Sequence, residues 1–108
     1  MPYDPQTLAA LSCQIGARPQ GAPHIGEVAG ALRAVRREPG ALVVDYAPQA
    51  EDTLAAIVAA ERVCCAELGW HLERVQCGPT GPLVRLRVEA APAQLDLLAP
   101  AFAVSEGA

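Results

Sequence analysis

The sequence lacks the features that mark nucleic-acid-binding, membrane and secreted proteins. All eight basic residues are arginines, a pattern without functional weight, but the net charge of -4 argues against the basic surface that neutralises phosphates. No apolar run approaches the roughly 18 residues that span a bilayer, and residues 1–5 lack the basic and apolar regions of a signal peptide. We therefore expect a cytoplasmic protein that binds neither nucleic acid nor membrane.

The cysteines lack the spacing of the standard zinc motifs. There are four of them, Cys13, Cys64, Cys65 and Cys77, and no CxxC or HxxxC pair. In a reducing compartment, cysteines are thiols, metal ligands or redox groups more often than structural disulfides. No standard zinc spacing is therefore present, and the adjacent pair Cys64-Cys65 is the strongest candidate for metal chemistry.

Length and composition predict one domain. At 108 residues, of which 52% are hydrophobic and 19% charged, the chain can bury a single core. We expect an irregular segment over 1–26, with one short ordered element at 7–15, then a core over 27–102 and a tail over 103–108. The predicted fold is α+β: an N-terminal helical region followed by β-α-β-β-α, with a mainly antiparallel three-stranded sheet.

Hydrophobic periodicity and turn residues place the elements of this core. Apolar residues at helical spacing, with proline or acidic starts, predict three helices: over 27–38, from 48–52 to Leu68, and over 92–98. Short apolar or alternating runs predict three strands, over 41–46, 70–77 and 83–89, and the last two form a hairpin. The expected helix stops are Pro39-Gly40 for the first, Gly69 in a left-handed conformation for the second, and Pro100 for the third.

A carboxylate and two thiols are predicted to cluster near the end of the central helix. Glu61 and Cys65 fall on its apolar stripe, and Cys64 lies at the edge of that stripe. A carboxylate on a buried face is costly unless it is paired, hydrogen-bonded or bound to a cation. Adjacent helical residues point about 100° apart, so both cysteines can face one ion only if the last helical turn loosens.

These three residues define a candidate metal site. Thiolates bind soft or borderline ions such as Hg²⁺, Cu⁺ and Zn²⁺. We therefore take Cys64 and Cys65 as ligands, with Cys13 as the third and Glu61 as a ligand or a support, while His71 and Cys77 are weaker candidates. The structural alternatives are that Glu61 pairs with Arg62, Arg74 or Arg85 and that the cysteines fill the core. No residue is assigned a catalytic role, and a metal ion is the one cofactor considered.

The run Glu61-Arg62-x-Cys64-Cys65-x-x-Leu68-x-Trp70-x-Leu72 resembles the E-x-x-C-C-P-F-L-x-F-x-L signature of small bacterial proteins that also carry an early cysteine, here Cys13. The similar order of elements extends over residues 8–102. Some of those proteins are associated with heavy-metal resistance, which implies soft-metal handling through Cys13, Cys64 and Cys65. This chain departs from the signature at Ala66 and Glu67, which stand in place of its proline and phenylalanine.

The sequence thus favours a protein that sequesters, transfers or senses a soft metal ion. Two other classes stay open. One is a thiol-dependent enzyme, either an oxidoreductase or an organometal lyase in which a thiolate attacks. The other is a non-catalytic interaction module, for instance a homodimer formed through the sheet, in which the cysteines are structural.

Overall fold

An antiparallel sheet with helices on one face organises the chain. The computed structural model describes residues 21–78 and 81–103. Its strands are β1 (Leu32–Glu38), β2 (Ala41–Tyr46), β3 (Gly69–Gly78) and β4 (Gly81–Glu89), in the spatial order β1-β2-β4-β3. The α-helices are α1 (Glu51–Cys64) and α2 (Pro92–Ala103), and 3-10 helices cover Ile25–Ala31 and Pro48–Ala50. The α+β class and the antiparallel hairpin β3-β4 are confirmed, but the sheet has four strands where three were predicted.

The fourth strand is β1, and the helix predicted over 27–38 is therefore wrong. The chain leaves the 3-10 helix at Ala31 and pairs antiparallel with β2. The pairing register shifts between Leu32 and Ala34, so an extra residue places both Leu32 and Val35 on the core face. This bulge turns the usual two-residue spacing of a strand into a three-residue spacing that imitates a helix.

Pro39-Gly40 is the turn of the β1-β2 hairpin and not the end of a helix. Proline has the φ angle that the first central position of a type II turn requires. Gly40 follows with φ 75°, which the second position requires and which side chains other than glycine rarely adopt. Two short runs separated by such a pair form a hairpin, so the helix stop predicted at Pro39-Gly40 is wrong.

Helix α1 ends at Cys64, which is earlier than the predicted end at Leu68. Cys65 has φ −117° and ψ 59°, outside the helical region. Gly69 is not among the glycines with positive φ and instead begins β3. A Cβ at position 69 would lie only 3.2 Å from the Glu89 Cβ. The missing side chain of Gly69 therefore allows β3 and β4 to approach closely at this point.

Helix α2 continues through Pro100 to Ala103, so the end predicted at Leu98 is also wrong. A proline inside a helix removes one backbone hydrogen bond and disfavours the preceding turn. The apolar stripe of α2, however, continues past it, because Leu95, Leu98 and Phe102 are all buried in the core. Burying a phenylalanine contributes roughly 1.5–3 kcal/mol, which favours the continued helix.

The core lies between the helices and one face of the sheet. In the two central strands the residues on this face are at most 2% exposed: Leu42, Val44 and Tyr46 of β2, and Val84, Leu86 and Val88 of β4. Helix α1 covers them with Leu54 and Ile57, and α2 with Leu95 and Leu98. Burial of the Tyr46 phenol raises its pKa. Among the described residues, no helix combines the length and the apolar character needed to cross a membrane.

Candidate metal centre

The end of α1 brings Glu61, Cys64 and Cys65 together. Glu61 and Cys64 lie one turn apart on the buried face of the helix, and Cys65 is the first residue after it. Their exposed fractions are 4%, 1% and 1%. One carboxylate oxygen and the two sulfur atoms all lie within 4.8 Å of one another. The helix ends between the two cysteines, and Cys65 has left the helical conformation. The predicted loosening of the last turn therefore occurs, and it allows both sulfur atoms to face one position.

Backbone contacts hold Cys65 against the start of β3. The Cys65 N–H donates to the Glu61 carbonyl at 2.6 Å, and the Cys65 carbonyl accepts from the Leu68 N–H at 3.2 Å. The Trp70 indole N–H also donates to the Cys65 carbonyl, at 3.1 Å. The Arg62 guanidinium donates to the Trp70 carbonyl at 2.7 Å and 3.2 Å. The helix end and the strand are thus tied together on both sides of the cysteine pair.

The separation of the two sulfur atoms fits a shared ion. The Sγ atoms of Cys64 and Cys65 are 3.9 Å apart. With metal–sulfur bonds of about 2.3 Å, tetrahedral coordination places two thiolates about 3.8 Å apart, whereas linear coordination requires about 4.6 Å. The spacing therefore suits a tetrahedral or bent arrangement better than a linear one.

The three arginines that the sequence offered as partners for Glu61 bind elsewhere. Arg62 contacts the Trp70 carbonyl. Arg74 contacts Glu51 at 2.6 Å, and Arg85 contacts Asp45 at 2.8 Å. None of these contacts involves Glu61, and a carboxylate this buried needs hydrogen bonds or a cation to offset its lost hydration.

Cys65 is disulfide-bonded in the structure. Its partner is not Cys64, because a disulfide needs a separation of about 2.05 Å and these sulfur atoms are 3.9 Å apart. It is not Cys77, which is a free thiol. Cys13 lies outside the described residues. The site is therefore in an oxidised form in this structure, and thiolate ligation by Cys65 requires reduction of this bond.

The structure does not place His71 and Cys77 with the cluster. His71 follows buried Trp70 on β3 and therefore points to the opposite face of the sheet, where its Nε2 is 3.0 Å from Glu89 Oε1. Cys77 is exposed near the far end of β3. It is separated from Trp70 by about 23 Å of strand. Neither side chain can reach the ion-binding position from there.

The face of the sheet away from the helices carries a continuous ion-pair network that sequence reasoning missed. We call it the outer-face network; it consists of Arg36, Glu38, Asp45, His71, Arg85, Arg87 and Glu89, and the contact of Arg36 with Glu38 at 3.9 Å joins its two halves. Its buried member is Asp45, which contacts Arg36 at 3.1 Å and Arg85 at 2.8 Å. The alternation of Arg85, Arg87 and Glu89 indicated a polar face, but nothing local in the sequence indicated the pairing partners.

Charges within this network shift the pKa values of its acids. Burial alone would raise the pKa of Asp45, but the hydrogen bonds and positive charges of Arg85 and Arg36 outweigh burial and lower it. Hydrogen bonds from His71 and Arg87 lower the pKa of Glu89. Ion pairs and hydrogen bonds within the sheet account for both pKa shifts. We therefore assign the network a structural role.

No protein-family model, curated protein or solved structure matches this chain. The interpretation of the Glu61-Cys64-Cys65 cluster therefore rests on its own geometry and chemistry.

Proposed function

We propose that this protein binds a soft or borderline metal ion through the thiolates of Cys64 and Cys65, in order to sequester, transfer or sense it. Glu61 supplies an oxygen ligand or supports the thiolates, and Cys13 supplies a third sulfur. The observation that carries the proposal is the convergence of three buried metal-binding side chains within 4.8 Å of one another.

The donor set indicates the class of ion. Thiolates favour Zn²⁺, Cu⁺ and Hg²⁺ over the hard ions Mg²⁺ and Ca²⁺. Three sulfurs and one carboxylate oxygen would complete the four-coordinate arrangement that suits the observed sulfur spacing. The resemblance of the Glu61–Leu72 run to proteins linked to heavy-metal resistance is part of the same proposal, as is a reducing, cytoplasmic location.

The buried location also explains why a cation belongs there. Two deprotonated thiols and a carboxylate would place three negative charges in a poorly hydrated environment, which is strongly unfavourable without a counter-ion. Metal binding supplies that counter-ion and releases the thiol protons. In the reduced protein, both thiols would therefore lose their protons as the ion binds.

The geometry gives less support to a thiol-dependent enzyme. The cysteine pair stands at the C-terminal end of α1, where the helix dipole disfavours a thiolate. Both sulfurs are buried, whereas reactive cysteines are usually partly exposed. A nucleophilic role would require a substrate to displace the packing around Trp70.

Titration of the reduced protein under anaerobic conditions tests the proposal. We expect one Zn²⁺ or Hg²⁺ per chain, with ultraviolet absorption from thiolate-to-metal charge transfer. The double substitution Cys64→Ser and Cys65→Ser should abolish this band, while Cys77→Ser, which changes an exposed cysteine far from the cluster, should leave it intact. Binding that survives the double substitution would contradict the proposed ligands.

A further inference from the structure

The backbone of Cys65 leaves the helical path because its carbonyl accepts from donors outside the helical pattern. In a continued α-helix this carbonyl would accept from the N–H four residues on, at Gly69. Here it accepts from the Leu68 N–H at 3.2 Å and from the Trp70 indole N–H at 3.1 Å, while Gly69 begins β3. The Cys65 N–H keeps its helical bond to the Glu61 carbonyl. The change of direction therefore occurs at Cys65 itself.

These contacts determine where the Cys65 sulfur lies. Hydrogen bonds on the N–H and on the carbonyl fix the two peptide planes that flank the residue, and hence its φ of −117° and ψ of 59°. A cysteine side chain then has one rotatable bond to the sulfur, with three staggered positions. In the position that it occupies, the sulfur is 3.9 Å from the Cys64 Sγ. None of the three hydrogen bonds involves a sulfur atom, so reduction of Cys65 leaves their donors and acceptors in place.

We propose that Trp70 and Arg62 are positioning residues of the metal site: Arg62 holds Trp70, and the Trp70 indole holds Cys65 in the conformation that directs its sulfur to the ion. This inference rests on the proposed function. Trp70 is 2% exposed and packs in the core, which fixes the direction of its indole N–H. The Arg62 guanidinium donates to the Trp70 carbonyl from both Nε and Nη2, and charge-assisted bonds of this kind are stronger than neutral ones.

A second contact between α1 and β3 separates this role from general packing. Arg74 of β3 contacts Glu51, the first residue of α1, at 2.6 Å. It joins the helix to the strand as Arg62 does, but about 20 Å of helix separates Glu51 from Cys64. Loss of Arg74 should therefore weaken the attachment of α1 to β3 without changing the geometry of the ligands.

The experiment measures binding of Zn²⁺ and Co²⁺ to the reduced full chain and to its variants. Trp70→Phe keeps an aromatic ring in the core and removes the N–H donor. We expect its Zn²⁺ affinity, measured against a chromophoric chelator, to fall about 10–100-fold, as for other groups that orient metal ligands. The visible absorption of bound Co²⁺ depends on coordination geometry and should also change. A purely structural role of Trp70 would lower the stability of the protein and leave this absorption as it was.

The arginine variants test the proposal even if Trp70→Phe does not fold, because Arg62 and Arg74 are exposed. Arg62→Gln should lower the Zn²⁺ affinity about 10-fold and change the Co²⁺ absorption. Arg62→Lys keeps the positive charge but replaces the planar guanidinium by a single ammonium group, so it should recover only part of the loss. Arg74→Gln is the matched control and should keep the natural affinity and absorption.

The outcomes distinguish the positioning role from the proposed function. Unchanged Zn²⁺ affinity and Co²⁺ absorption in Trp70→Phe or in Arg62→Gln would overturn the positioning role. Full recovery in Arg62→Lys, or an equal loss in Arg74→Gln, would overturn it as well, since charge or general packing would then explain the effect. Each of these results would leave the proposed function intact. Absence of Zn²⁺ binding by the reduced natural chain would overturn both.

Discussion

Glu61 is the residue that distinguishes the cluster from an ordinary core. Buried cysteines by themselves behave as small hydrophobic side chains, but a carboxylate with 4% exposure requires compensation for its lost hydration. Its position on the apolar stripe of α1 was visible in the sequence, because helical periodicity alone places it one turn from the two thiols.

Replacing Glu61 tests its part in the site. Glu61→Gln keeps the shape of the side chain and removes its charge, so we expect Zn²⁺ affinity to fall about 10–100-fold, as for residues that bind or orient metal ligands. The matched control is Glu67→Gln, which removes an exposed acid two residues after Cys65. Equal losses in both variants would show that net charge, and not the position of Glu61, governs the affinity.

The remaining site candidates show the limits of sequence reasoning at this scale. Helical periodicity brought together Glu61, Cys64 and Cys65 because these residues are close along the chain. His71 and Cys77 were considered for their chemistry, but strand alternation turns His71 to the other face, and distance along β3 separates Cys77. The sequence also gave no sign that Asp45 would pair with Arg85, since that contact joins residues 40 positions apart.

Asp45 anchors the outer-face network and should make stability depend on pH. Its pKa is lower in the folded protein than in the unfolded chain. Its contribution is therefore complete above the ordinary carboxyl pKa of about 3.9 and is lost as the pH falls through the folded value. At pH 7 we expect Asp45→Asn to lower the free energy of unfolding by about 1–3 kcal/mol, because it weakens hydrogen bonds from two arginines.

Urea denaturation at several pH values checks this expectation. The difference between Asp45→Asn and the natural chain should shrink below about pH 4, where the natural carboxylate also becomes protonated. Asp96→Asn removes an exposed partner of Arg37 and should have a smaller effect, as for most surface ion pairs. A pH-independent difference for Asp45→Asn would mean that packing, and not charge, causes the loss.

At the scale of elements, a strand or helix was predictable where its apolar residues recur at one regular spacing. Elements with a local irregularity, such as a bulge or an internal proline, were not predictable in this way. The hairpin β3-β4 alternates apolar and polar residues over most of its length, so its prediction was correct. In β1 the bulge at Leu32 and Ala34 produced a helix-like spacing, and in α2 tertiary packing overrode Pro100. The end of α1 at Cys64 depends on contacts with Trp70, which sequence periodicity cannot reveal.

The turn between β1 and β2 offers a direct test of the corrected topology. Gly40 has φ 75°, and a non-glycine residue in this region carries a strain of about 1–3 kcal/mol. Gly40→Ala should therefore lower the free energy of unfolding by about that amount. Gly30→Ala is the control, because Gly30 lies outside the positive-φ set and has open space around it. Equal stabilities of the two variants would argue against this hairpin.

At the scale of the whole molecule, metal binding should be coupled to folding. The proposed ligands Glu61, Cys64 and Cys65 lie at the end of α1, which packs on β3 through Trp70, so an ion bound there would stabilise the folded state alone. At a free metal concentration 100 times the dissociation constant, the added stability is about 2.7 kcal/mol. For a domain of this size that corresponds to a rise in Tm of about 10 °C or more.

Thermal unfolding of the reduced protein with and without Zn²⁺ measures this coupling. The natural chain and Cys77→Ser should both show the rise in Tm, while the Cys64→Ser and Cys65→Ser double variant should show none. A similar rise in the double variant would place the ion elsewhere on the molecule.

X-ray absorption spectroscopy of the reduced, Zn²⁺-loaded protein tests the central claim most directly, because it identifies the atoms bound to the ion. The proposed site predicts two or three sulfur neighbours at about 2.3 Å, together with oxygen at about 2.0–2.2 Å. A first coordination shell made of oxygen and nitrogen alone would contradict it.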